Sequence, residues 1–112
     1  MGEWLAFLDA LIIFKGTPSK DQEGRIFNIF LKLSHGRREN IKFEDRDIDG
    51  TVKRCLDMHF SFFYNRREML NIMHRVKHIA LLENGSCFEF FDEDNDTWTF
   101  TFKDGKFIEE GN

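Results

Sequence analysis

Bulky rings at every second position, Trp98, Phe100 and Phe102, constrain this chain more than any other feature. Threonines at 97, 99 and 101 and a lysine at 103 fill the gaps. A period of two puts successive side chains on opposite faces of an extended strand, so the segment has one apolar side and one wetter side. Asp104-Gly105 follows, flanked by two lysines. Such a pair suits a type I′ hairpin, which needs positive φ at both central residues. This turn pairs Phe102 with Phe107. Upstream, the acidic run 92–96 separates the strand from Cys87-Phe88-Glu89-Phe90-Phe91, setting Phe90 opposite Trp98 and Phe88 opposite Phe100. The expectation is a three-stranded meander over 86–110 with Phe88, Phe90, Trp98, Phe100, Phe102 and Phe107 on one face. A slip of one residue would scatter that set. Three strands with one apolar face need a covering layer, which the preceding residues must supply.

Residues 2–15 read as a helix ending at Gly16, with Trp4, Leu8, Leu11 and Ile12 on one side. For 25–34 the favoured reading is a strand with Phe27, Ile29, Leu31 and Leu33 on one face. A hairpin would then pair Leu31 with Phe43 and Leu33 with Ile41. The competing reading is a helix from Lys20, opened by a Ser19 and Gln22 capping box. Residues 51–64 read as a helix gathering Val52, Cys55, Leu56, Phe60 and Phe63. Residues 66–80 read as a cleaner amphipathic helix with Met69, Ile72, Met73, Val76 and Ala80 on one side. The predicted order is α-β-β-α-α-β-β-β, an α+β fold with helices packed on one face of an antiparallel sheet.

At 112 residues the chain has room for one core, so 1–112 is expected to be a single domain. Fourteen phenylalanines supply the apolar content that a disordered chain lacks. Cys55 and Cys87 are too few for a disulfide framework and point to reduced thiols in a cytoplasmic protein. The apolar stretch 4–14 contains Asp9, lacks a basic flank and is about half the length that spans a bilayer, so no membrane is implied. A net charge of −4 argues against nonspecific nucleic-acid binding.

Two acidic clusters invite chemistry. In Asp45-Arg46-Asp47-Ile48-Asp49-Gly50, alternating carboxylates before a glycine resemble the first half of a calcium loop, making Asp45, Asp47 and Asp49 candidate ligands. The twelfth position, which should supply a bidentate Glu, is Leu56. Asp92, Asp94 and Asp96 repeat the alternation without the glycine. His74 and His78 have the spacing that lets two imidazoles share a metal, but Arg75-Val76-Lys77 stands where a metalloprotease helix carries its Glu. Those histidines fall on the exposed side of their helix, along a basic ridge with Arg67 and Arg75. No motif presents a serine or cysteine beside a base, so no catalytic residue is assigned.

The leading expectation is a non-enzymatic protein-binding module, of the inhibitor, immunity or phage-accessory kind. Its acidic loops would steer a basic protein partner. Glu44, Asp45, Asp47, Asp49, Asp92, Glu93, Asp94 and Asp96 are the steering charges, and Phe62, Tyr64 and Phe91 the aromatic anchors. The alternative is a ligand-binding or enzymatic pocket between sheet and helices, faced by Glu89, His59 or Tyr64.

Overall fold

The computed structural model describes residues 3–111. Six strands form one antiparallel sheet in the order β2-β3-β1-β4-β5-β6. The strands are β1 (Glu3–Ile13), β2 (Ile41–Ile48), β3 (Thr51–Asn65), β4 (Cys87–Asp92), β5 (Thr97–Lys103) and β6 (Lys106–Gly111). Helix α1 (Lys20–Leu33) connects β1 to β2, and α2 (Arg66–Ile79) connects β3 to β4. Each helix therefore links two parallel strands with a third strand between them. These interleaved split β-α-β units give the ferredoxin-like connectivity, here prolonged at the β4 edge by β5 and β6. The connectivity places elements in space and implies no activity.

The fold class expected from sequence is the one observed, and so is the C-terminal meander. Phe88 pairs with Phe100, Phe90 with Trp98, and Phe102 with Phe107. Helix α2 buries Met69, Ile72, Met73 and Val76, as its pattern requires. The order of elements is corrected to β-α-β-β-α-β-β-β, because three segments exchange type.

The expected helix over 2–15 is the central strand β1 (its first residue, Gly2, lies outside the described residues). Buried Ala6, Leu8, Ala10 and Ile12 alternate with Leu5, Phe7 and Leu11 on the uncovered face, so apolar residues run almost continuously in sequence and the alternation is hidden. Residues 20–33 form helix, not strand. Ser19 Oγ accepts from Gln22 N–H at 3.1 Å while Gln22 Oε1 accepts from Ser19 N–H at 2.7 Å, closing the capping box. Ile26, Ile29 and Phe30 then face the sheet at helical spacing. The hairpin proposed between 31–33 and 41–43 is therefore absent: Ile41 and Phe43 pair with Met58 and Leu56 of β3.

The expected helix over 51–64 is β3, the longest strand at 15 residues. Its even positions, Leu56, Met58, Phe60, Phe62 and Tyr64, all point into the core. Ala6, Leu8, Ala10 and Ile12 lie beside them on β1, and Phe88, Phe90, Phe100 and Phe102 on β4 and β5. Phe90 sits at the centre, with ring centroids 5.1–6.5 Å from Tyr64, Trp98, Phe62, Phe100 and Phe88. Both helices roof this face alone. At its margin the buried Ser86 Oγ accepts from Ile13 N–H at 2.9 Å, tying the loop before β4 to the end of β1.

Candidate functional site

The odd-numbered residues of β1, β3, β4 and β5 project from the opposite, helix-free face. Register lines them up in rows: Ser61, Phe7, Phe91 and Thr97; then His59, Asp9, Glu89 and Thr99; then Asp57, Leu11, Cys87 and Thr101. Phe7 and Phe91 stack across β1 and β4 with centroids 5.3 Å apart and planes 18° from parallel. Phe7 is 38% exposed, and Phe91 is half-buried beside it.

The β4–β5 loop continues directly from Phe91. Asp92 spends its carboxylate on the loop itself, accepting from Asp94 N–H at 2.9 Å and Asp96 N–H at 3.0 Å. Glu93, Asp94 and Asp96 are exposed around this frame. An aromatic stack and three exposed carboxylates thus meet at one corner of the sheet.

The other predicted residues divide. Phe62 and Tyr64 are 3% and 2% exposed and belong to the core, so neither is free to anchor a partner. A helix over 51–64 would gather Phe63 inside; a period of two reverses this, and Phe63 is 61% exposed. A helical reading of residues 2–15 hides Phe7. The clue was available: opposite Phe91 it forms one more cross-strand aromatic pair.

The acids at 44–49 lie at the far end of the sheet and are largely spoken for. Glu44 pairs with Arg46, Asp45 accepts from Arg54 at 3.4 Å, and Asp47 Oδ1 accepts from Gly50 N–H at 2.7 Å. The loop presupposed for calcium is the end of β2 followed by a tight turn, with φ of 52° at Asp49 and 86° at Gly50. Extended backbone separates the Asp45 and Asp47 positions by about 7 Å.

Near the centre of the open face, both His59 nitrogens meet carboxylates: Nδ1 lies 3.1 Å from Asp9 Oδ1, and Nε2 lies 2.9 Å from Asp57 Oδ1. Asp57 Oδ2 also accepts from Arg46 at 2.6 Å. The donor atoms of Asp9, Asp57 and His59 are close enough to share a metal. They equally form a ladder of polar side chains, Arg46–Asp57–His59–Asp9, spanning three strands. Glu89 and His59 face this side while Tyr64 faces the core, so these three cannot line one pocket between sheet and helices.

Both thiols are free. Burial is the main cause raising the Cys55 and Cys87 pKa values, and also that of the Tyr64 hydroxyl. These groups are held neutral, the opposite of an activated nucleophile. Among the described residues no helix is long and apolar enough to cross a membrane. The chain matches no protein-family model, no curated protein and no solved structure.

Proposed function

We propose that this chain is a small intracellular, non-enzymatic protein-binding module. It engages a basic protein partner at the corner where the Phe7–Phe91 stack meets the β4–β5 loop. The supporting observation is the stack itself: two rings on the helix-free face, continuous with exposed Glu93, Asp94 and Asp96. Aromatic side chains are favoured anchors because they bury a large area at small entropic cost. Carboxylates around them speed the approach of a positively charged surface and reject an acidic one. An inhibitor or immunity-type protein that occludes a basic site would use this arrangement.

The test is a pair of side-by-side captures from native lysate, with the native protein and with Glu93→Lys, Asp94→Lys and Asp96→Lys combined. Basic proteins held by the first and lost from the second support the reading. For any such protein, charge reversal should slow association and flatten its salt dependence, whereas Phe91→Ser should chiefly speed dissociation. Identical captures by two equally folded proteins would refute it.

A further inference from the structure

The opposite side of the molecule carries a second feature. Between α1 and α2 runs a groove of about 600 Å³, continued by a shallower one of about 380 Å³ toward Ile79. Its floor is apolar, formed by the inward-turned Ile29 and Ile72. Gln22 closes the far end by donating from Nε2 to Ile79 O at 2.8 Å, fixing the start of α1 against the end of α2.

The two ends of the groove differ in chemistry. Arg25 of α1 and Arg75 of α2 both line the groove and its continuation toward Ile79, whereas Lys32 stands two turns along α1 from Arg25, at the Glu68 end, about 10 Å of helix rise. Arg46, Arg54 and Arg66 are each held by a carboxylate. Among the described residues, Arg25, Lys32 and Arg75 have none within ion-pair distance. Repulsion between unneutralised cations on facing helices disfavours the empty arrangement and favours an anion between them. Beyond Met58 strand β3 has no β2 partner, and at this free edge the exposed Phe63 ring lines the lower end of the groove together with Lys32, His35, Glu68 and Asn71. A ring face stacks flat aromatic groups, while a carboxylate and an amide accept hydrogen bonds from amino groups.

From this polarity we infer that the groove is a binding site for a mononucleotide-class ligand. Its phosphates would lie between Arg25 and Arg75, and its amino-bearing base would rest on Phe63 within reach of Glu68 and Asn71. Guanidinium forks suit phosphate oxygens, and the volume lies in the range of small-molecule sites. Nothing in this site touches the Phe7–Phe91 corner, so either assignment stands or falls alone.

Titration calorimetry of the whole chain with ATP, tripolyphosphate and adenosine tests the inference. ATP should bind, tripolyphosphate more weakly, and adenosine most weakly. Arg25→Gln combined with Arg75→Gln should weaken ATP at least about tenfold, the loss of two charge-assisted contacts. Phe63→Ser should weaken ATP about fivefold and leave tripolyphosphate unchanged. All three positions are exposed, and an unchanged melting curve checks the fold. The inference is overturned by no ATP binding at about 1 mM or by unaltered affinity in the double variant. Tripolyphosphate binding as tightly as ATP, or a single-stranded oligonucleotide binding where ATP does not, would also overturn it.

Discussion

The two faces of the sheet are made by the same strands, yet they obey different rules. On the covered face the even residues of β1, β3, β4 and β5 make a continuous apolar layer. Aromatic rings there meet at stacked, tilted and edge-on angles under two helices. On the open face the alternate residues combine two stacked rings, a ladder of charges, three threonines and a half-buried thiol. Free energy of folding comes mainly from the first face, because that is where apolar area leaves water. The second face is therefore at liberty to carry side chains chosen for contact with something else. Neighbours in sequence such as Phe90 and Phe91 thus lie in different surroundings.

The sharpest way to break this contrast is to truncate those neighbours one at a time. Phe90→Ala removes a fully buried ring from the middle of five others. It should cost about 3–5 kcal/mol in urea denaturation. Phe91→Ser loses part of one stacked pair and should cost about 1 kcal/mol. Comparable losses at the two sites would mean that the open face also holds the fold together.

A smaller effect tests the margin between the faces. Ser86 Oγ accepts from Ile13 N–H and donates toward Ile13 O at 3.1 Å and Glu83 O at 2.9 Å, all with Ser86 out of contact with water. Ser86→Ala leaves the Ile13 N–H without that acceptor. It should cost about 1–3 kcal/mol by the same measurement. A neutral result would show that this joint between β1 and the start of the meander carries no stability.

How much of this was legible follows from where each residue sits in the sheet. Strands β4 to β6 lie toward one edge, one side wet and one side dry, so their alternation could be read directly and the register with it. β1 lies in the middle, with Leu5, Phe7, Leu11 and Ile13 on its open side as well as Ala6, Leu8 and Ile12 beneath. A strand apolar on both sides has no period to detect. In β3 the alternation from Leu56 to Tyr64 is present in the sequence, but Val52, Cys55, Leu56, Phe60 and Phe63 also satisfy a helical spacing. Two local signals would have decided matters. The Ser19 and Gln22 capping box names α1 as a helix. Asp49-Gly50 is the same hairpin dipeptide as Asp104-Gly105, and both adopt positive φ at each residue. Read as a turn, it makes β2 and β3 a hairpin. The candidate site was half visible: Phe91 and the acids at 92–96 could be named, but Phe7 required knowing that β1 lies beside β4. The groove between the helices required knowing that α1 exists.

The last test compares titrating groups on the two sides. Tyr64 lies beneath the helices, while Cys87 projects from the open side and Cys55 is enclosed near its margin. Burial raises all three pKa values above their ordinary positions. A raised pKa on an acid means that the unfolded chain ionises first. The stabilising contribution is whole below the unfolded value, near 9.0 for the thiols. It shrinks as pH climbs from there through the folded values. Denaturation midpoints should therefore begin to fall above about pH 9, with tyrosine adding to the decline above about pH 10. Replacing Cys87 by Ser should remove only its share and flatten the first part of the curve. A midpoint indifferent to pH up to about 11 would mean that these groups ionise as freely in the folded chain as outside it.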